Sequence, residues 1–385
     1  MAVKIGDKLS IPEAFHLAIS EAKKGLGFVS PNPAVGCVFL DKDNHLRSVG
    51  YHRSYGGPHA EVEAHGKVQN LESLVGGKAI VTLEPCSHFG KTPPCADLLS
   101  RLSLSEVHYG LRDPNPLVSG RGLRKLEESG VKVFSAPKDL ESSLKELVEI
   151  FYLNQTEKRC FVGLKVASSL DGQMSLPSGD SQWITGPLAR EKSHFLRAYF
   201  GAVLTTASSV MRDNSSLNSR VEPFHDKEIP VFLIDRKGRS ADFLQDSKLL
   251  EVRDAKSLYV FTSQDHLKSY TCLPTSQVID LKSDSDRDQL REIFKFVTHL
   301  GFSSLMIEAG PQFTSLILRE NLYDRLDLFV GPKVLGAHLK TSWTKGLEFS
   351  NMDQVLSFES AEPKTLGGDI WISARNPSAF FDSKL

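Results

Sequence analysis

Apolar runs of strand length alternate with segments of helical period along almost the whole of this chain, an order that requires a parallel or mixed sheet covered by helices on both faces. The first half opens with a helix over 11–24, its apolar residues Ala14, Phe15, Leu17, Ala18 and Ala22 on one face and Pro12 in the first turn. The turn Pro31-Asn32-Pro33 leads to a buried strand over 34–40, and the polar link 41–44 returns the chain to pair through 48–51. A helix from His59, a strand over 78–83, a helix from Pro94, a strand over 106–111, a helix over 122–129 and a strand over 131–134 follow. After a helix over 140–151, the polar stretch 154–159 marks a boundary, and the alternation restarts with a strand over 161–167. Helices over 189–198, 288–299 and 312–319 and strands over 202–206, 230–235, 258–262, 304–308 and 324–330 make a second α/β domain. At 385 residues, and roughly 100 to 200 residues per domain, the expected division is 1–155 and 156–385.

Composition excludes several classes. With 40% hydrophobic and 24% charged residues the chain has the apolar content of a folded protein, not of a disordered one. Lys+Arg 46 against Asp+Glu 47 leaves a net charge of -1, which supplies no field for holding a nucleic acid. The longest apolar runs, such as 34–40, fall far short of the roughly 20 residues of a membrane helix. Residues 1–10 carry Lys4, Asp7 and Lys8 and have no secretion-signal stretch. Five cysteines are too few and odd for a disulfide framework and suit reduced thiols or metal ligands, so a cytoplasmic protein is expected.

Two of those cysteines, with a histidine and a glutamate upstream, carry chemistry. His59-Ala60-Glu61 begins one helix, Pro85-Cys86 closes the next strand, and Pro94-Cys95 opens the helix beyond. One imidazole and two thiolates form a ligand set that leaves tetrahedral Zn²⁺ an open position for water, whose pKa the metal brings toward neutrality. Glu61, two residues past His59, is placed to reach over the metal without binding it and to shuttle a proton. H-x-E followed by P-C and a second Cys is the signature of zinc nucleobase deaminases, here with eight residues between the cysteines instead of two. The competing reading is a closed structural zinc site with His88 as fourth ligand, in which Glu61 has no use. Glu63 and His65 read as solvated or packing residues, and Cys37, Cys160 and Cys272 as small buried hydrophobes.

The segment Thr82-Leu83-Glu84-Pro85-Cys86-Ser87-His88-Phe89-Gly90-Lys91-Thr92-Pro93-Pro94-Cys95, with Pro31-Asn32-Pro33-Ala34-Val35-Gly36 upstream and Asp113-Pro114-Asn115-Pro116 downstream, resembles the deaminase half of the bifunctional riboflavin-biosynthesis deaminase/reductases. The resemblance implies a cytidine-deaminase-like α/β/α domain that hydrolytically removes the 2-amino group of 2,5-diamino-6-(5-phosphoribosylamino)pyrimidin-4(3H)-one. It also implies that Asn32 and His52 line the pocket, that Lys91 holds the phosphate, and that Asp113 and Asn115 flank the sugar phosphate. A lysine in a loop tied between two metal ligands neutralises a phosphate near the reacting centre without general positive charge.

No G-x-G-x-x-G follows a strand, so a dinucleotide-binding Rossmann domain has no support. Lys165-Val166-Ala167-Ser168-Ser169-Leu170-Asp171-Gly172, Ser181-Gln182-Trp183-Ile184-Thr185, Leu196-Arg197-Ala198, Leu204-Thr205-Thr206 and Ile307-Glu308-Ala309-Gly310-Pro311 resemble the reductase half of the same family in order and spacing. This implies a dihydrofolate-reductase-like domain that passes a hydride from NADPH to the opened ribose of 5-amino-6-(5-phosphoribosylamino)uracil. By the family pattern Ser181, Arg197, Leu217, Arg220 and Glu308 contact substrate, and Ser168, Trp183, Ser209, Asp213 and Gly310 contact the cofactor. Trp183, read without the family, is equally a core residue or a cofactor wall. Arg236, directly after a strand, is the candidate partner of the NADPH 2′-phosphate, set against an ordinary exposed loop arginine.

The chain departs from the family at Ser168, at Asp213-Asn214-Ser215 and at Arg236, which keeps open an active deaminase with an impaired reductase half. A cytidine or RNA-adenosine deaminase with an appended domain is disfavoured by the neutral charge and by the Lys91 loop. The implied ligands are phosphorylated pyrimidines, Zn²⁺ and NADPH, with neither nucleic acid nor membrane. A homo-oligomer, dimer or larger, is expected from the family.

Overall fold

Ser10 starts the first helix, α1 (Ile11–Lys23), by accepting from Glu13 N while the Glu13 carboxylate accepts from Ser10 N, a reciprocal cap that satisfies two backbone donors. The computed structural model describes residues 3–88, 93–115, 119–360 and 363–377. Strand β1 (Gly36–Leu40) is buried along its whole length because its alternate residues serve two cores. Val38 and Leu40 pack with α1 and with Leu144, Leu147 and Val148 of α5, whose bounds follow below; Cys37 and Phe39 pack on the opposite face with Ala60, Ala64, Leu99 and Leu126. Gly36 lets α1 lie against the strand, since a Cβ there would fall 2.0 Å from the Ala18 carbonyl oxygen.

The remaining elements of this unit are β2 (Leu46–Tyr51), α2 (Ala60–Gly66), β3 (Lys78–Leu83), α3 (Cys95–Ser100), β4 (Glu106–Leu111), α4 (Arg121–Glu128), β5 (Lys132–Ser135) and α5 (Glu141–Glu157). The sheet runs β2-β1-β3-β4-β5, antiparallel through the hairpin and across β1/β3, then parallel to the edge. Helix α5 continues through most of the polar stretch expected as a linker. Leu153, buried, extends the stripe of Leu144, Leu147 and Val148, so packing overrides the polar composition, and Lys158 at φ 55 ends the helix. The chain divides into two compact units between Lys158 and Arg159.

The second unit contains β6 (Phe161–Ser169), α6 (Pro187–Phe200), β7 (Val203–Thr206), α7 (Ala207–Asp213), β8 (Val231–Ile234), the single turns α8 (Ala241–Leu244) and α9 (Lys248–Glu251), and β9 (Leu258–Thr262). It continues with β10 (Val278–Asp280), α10 (Asp286–His299), β11 (Ser304–Ile307), α11 (Pro311–Arg319), β12 (Arg325–Gly331), β13 (Glu359–Ser360), β14 (Lys364–Leu366) and β15 (Asp369–Arg375). The sheet order is β10-β9-β8-β7-β11-β6-β12-β15-β13, with β14 on β15. Strands β10 to β12 in this order are parallel, and β15 joins antiparallel. Leu164, Leu204, Phe232, Phe261 and Ile307 build its core with Leu290, Ile293 and Val297 of α10. Because β6, β7, β8 and β11 run the same way, their carboxyl ends open on one edge, the place where parallel sheets bind ligands. No helix among the described residues is long and apolar enough to cross a membrane.

Candidate functional site

In the first unit three elements bring one donor each to a single point. His59 is the N-cap of α2 and makes no side-chain capping bond, Cys86 follows the end of β3, and Cys95 opens α3. Their ligand atoms all lie within 4.8 Å of one another, with the Cys86 and Cys95 sulfurs 3.5 and 3.4 Å from His59 Nδ1. A hydrogen bond from Cys95, together with His59, draws the Cys86 thiol down to about 4, and the Cys95 backbone N–H donates to the same sulfur at 3.3 Å. Two sulfurs and one imidazole nitrogen, this close and with a thiolate already favoured, fit zinc at bond lengths of roughly 2.0–2.3 Å. His88 stands exposed and outside this cluster, against a closed four-ligand site.

Glu61 is 3% exposed, and burial, reinforced by the Cys86 thiolate, raises its carboxyl above the ordinary range. It is not one of the clustered donors and stands buried beside them. Asn32 Nδ2 donates to His52 Nε2 at 3.1 Å, and His52 Nδ1–H donates to the Pro58 carbonyl at 2.9 Å. The His52 ring meets His59 edge-on, centroids 5.4 Å apart, so both expected pocket residues stand beside the metal ligands. Asp113 is buried and accepts from Asn115 N at 2.8 Å; burial, with the Glu84 charge adding, pushes it up to about 6. Glu84, which sequence reasoning passed over, accepts from Asp113 N at 3.3 Å and so ties the end of β3 to the 113–115 turn. Lys91 lies outside the described residues.

The second unit has a cleft of about 1090 Å³ at the strand ends. Leu164 of β6 pairs with Ile307 of β11, so Lys165 and Glu308, one residue on, emerge side by side. Arg197 of α6 donates to both Glu308 oxygens at 2.9 Å, and Lys165 Nζ lies 3.4 Å from Oε1. Burial alone would raise the Glu308 carboxyl, but the charges of Arg197 and Lys165 outweigh it and hold the group well below the usual carboxylate range. Lys165 is a second residue to which sequence reasoning gave no role. Leu217 and Arg220 line the same cleft, with Ser181 and Asp213. Burial raises Asp213 above the ordinary range.

Trp183 is 57% exposed, with the Arg190 guanidinium 4.3 Å from its ring centre, so it walls the cleft and is no core residue. The starts of α7 and α11 meet where Gly310 N donates to Ser209 Oγ at 3.1 Å. A Cβ on Gly310 would meet only that oxygen, at 3.8 Å, so the space over this turn is open. Arg236 also lines the cleft, paired with Asp286 at 2.7 Å. Open space over the Gly310 turn and a neighbouring guanidinium suit a dinucleotide phosphate. Ser168 departs from expectation: the period of β6 sends Lys165 and Ala167 into the cleft and turns the Ser168 side chain to the other face, where it is buried.

A hydrolytic site and a reductive site on one chain define a bifunctional enzyme. Residues 10–111 match the family described as the cytidine and deoxycytidylate deaminase zinc-binding region, and residues 160–372 match the RibD C-terminal domain. The riboflavin biosynthesis protein RibD of Aquifex aeolicus is 33% identical over 92% of this chain and 96% of that protein, and the Escherichia coli protein is 31% identical over 92% and 96%. A solved Thermotoga maritima structure, a diaminohydroxyphosphoribosylaminopyrimidine deaminase/5-amino-6-(5-phosphoribosylamino)uracil reductase, is 33% identical with TM-score 0.79, covering 95% of this chain and 98% of that one. Acinetobacter baumannii RibD gives 32% identity and TM-score 0.77 over 95% and 98%. This chain belongs to the RibD family, the deaminase and reductase of riboflavin biosynthesis.

Proposed function

We propose that the first site removes the 2-amino group of 2,5-diamino-6-(5-phosphoribosylamino)pyrimidin-4(3H)-one and that the second reduces the ribosyl group of the deaminated product with NADPH. The observation that carries the reading is the convergence of His59, Cys86 and Cys95 next to a buried carboxylate that is not among them. Zinc held by His59, Cys86 and Cys95 would supply a Lewis acid for activating water at neutral pH. Glu61 would carry a proton on a carboxylate oxygen to the departing amine, and burial raises its affinity for that proton. Asn32 and the neutral His52 orient the pyrimidine edge, and Asp113 and Asn115 flank the sugar phosphate.

In the second site NADPH supplies the hydride. Glu308, fixed on Arg197 and Lys165, holds the substrate's sugar hydroxyls, and Arg220 grips its phosphate. Trp183, Ser209, Asp213 and the turn at Gly310 bound the cofactor. Arg236 takes its 2′-phosphate. Replacing it, Arg236→Ala, is expected to cut the NADPH over NADH preference about tenfold or more, measured as the ratio of kcat/KM values; an unchanged ratio would sink that assignment. Five cysteines without a disulfide suit the reducing cytoplasm, where we place the enzyme. Chelation tests the metal reading: stripping the ion is expected to abolish ammonia release and to leave NADPH oxidation of the deaminated substrate intact. Ammonia release that persists in metal-free protein would refute it.

A further inference from the structure

The reductase cleft contains an imidazole that the chemistry above does not use. His194 stands on α6 three residues before Arg197, so both side chains leave the same helix face. Its Nδ1 lies 3.0 Å from the Asn218 carbonyl oxygen, and its Nε2 lies 3.1 and 3.2 Å from Nη2 and Nε of Arg220. A carbonyl only accepts and a guanidinium only donates, so Nδ1–H donates to Asn218 and Nε2 accepts from Arg220. The ring is therefore neutral. Burial, and then the charges of Arg197 and Arg220, push it down to about 4, in line with that assignment.

Arg197 Nη1 donates to the same Asn218 carbonyl at 2.9 Å and sits 3.1 Å from His194 Nδ1. One carbonyl and one imidazole thus tie the arginine that grips Glu308 to a second arginine three residues after Leu217. A charged group between two guanidiniums would add a third like charge, whereas a neutral acceptor separates them. Arg220 is otherwise exposed, and a long side chain free in solvent loses rotamer freedom when it grips an anion. The bond to Nε2 occupies its Nε/Nη2 edge and leaves its other hydrogens for an anion.

We propose that His194 is a positioning residue of the reductase, a neutral acceptor that fixes Arg220 on the Arg197–Glu308 framework so that the guanidinium is preset for the substrate phosphate. The proposal rests on the reading that Arg220 binds that phosphate, and one double-mutant cycle separates the two. His194→Phe keeps an aromatic ring and removes both bonds; His194→Asn keeps a donor for Asn218 and removes the acceptor for Arg220; His194→Gln restores an acceptor. Full-length protein would be assayed for NADPH oxidation with the deaminated substrate, with thermal midpoints and NADPH binding followed in parallel.

The expected result is a rise of about tenfold in substrate KM for His194→Phe and His194→Asn, a kcat within about threefold, NADPH affinity unchanged, and recovery of KM in His194→Gln. In an Arg220→Ala background, His194→Asn should add no further rise in KM. Inorganic phosphate, as a competing anion, should inhibit the Asn variant less strongly than the parent. A large Arg220→Ala effect with His194→Asn at parental KM would overturn the proposal and leave the Arg220 reading standing. Parental KM in Arg220→Ala itself would overturn both. Independent, additive effects of the two substitutions would also overturn it, since they would place His194 outside the Arg220 pathway.

Discussion

Glu61→Gln is expected to lower ammonia release by about 10²–10⁴-fold, the usual worth of a positioned proton carrier, while zinc content and the thermal midpoint stay near those of the parent. The separation of effects follows from the geometry. The clustered donors are His59, Cys86 and Cys95 without Glu61, so the amide takes nothing from the metal. Glutamine has almost the same volume, and burial already disfavours the charged form of this carboxyl, so neutralising it imposes no new desolvation cost. What the amide cannot do is carry a proton from water to amine. Ammonia release per zinc atom is the measurement, and a rate close to the parent's would remove Glu61 from the mechanism.

The second large effect belongs to Glu308→Gln. The substitution leaves Arg197 and Lys165, both largely buried, facing a neutral amide in place of a carboxylate held at 2.9, 2.9 and 3.4 Å. Removing one partner of a buried pair costs about 3–5 kcal/mol, because the other charge is left uncompensated. The reductase unit should lose that much stability and NADPH oxidation should fall with it, while the first site keeps its own ligands and continues to release ammonia. The pH dependence has a definite sign. Since the folded carboxyl lies below its unfolded value, the stabilisation is complete above the ordinary carboxylate range and is lost as pH falls through the depressed folded value. The parent and Glu308→Gln should therefore differ by a constant amount from about pH 6 to 8 and converge only in strong acid. A variant with parental stability and parental NADPH turnover would contradict the role given to this pair.

Much of the fold was legible because apolar runs and their periods carry it. The strand ending at Leu40, with both faces buried, reads from composition alone, and so does α1 with its Pro12 start. Two departures from the sequence pattern have plain physical reasons. Helix α5 outlasts the polar residues after Asn154, since one buried leucine, Leu153, is enough to keep the turn packed. The hairpin β14–β15 lies after the last strand expected from sequence, although Gly367-Gly368 between Leu366 and Asp369 is the two-residue turn that such a hairpin uses.

The cluster of His59, Cys86 and Cys95 reads directly, because residue type and spacing define it. The pairing of Lys165 with Glu308 did not, because it depends on β11 inserting between β6 and β7, an order no local pattern announces. His194 was silent for the same reason: its partners Asn218 and Arg220 come from a loop beyond the next strand and helix. Arg236 was legible as a cation near the strand end, but its pairing with Asp286 across 50 residues was not.

One measurement tests the central claim most directly: full-length, zinc-loaded protein is given the diaminopyrimidine phosphoribosylamine with NADPH, and ammonia and NADPH are followed together. Two chemistries on one chain predict one ammonia released and one NADPH oxidised for each substrate molecule, with NADPH loss absent until deaminated product has formed. Ammonia release with no NADPH consumption, or neither signal with zinc bound, would contradict it.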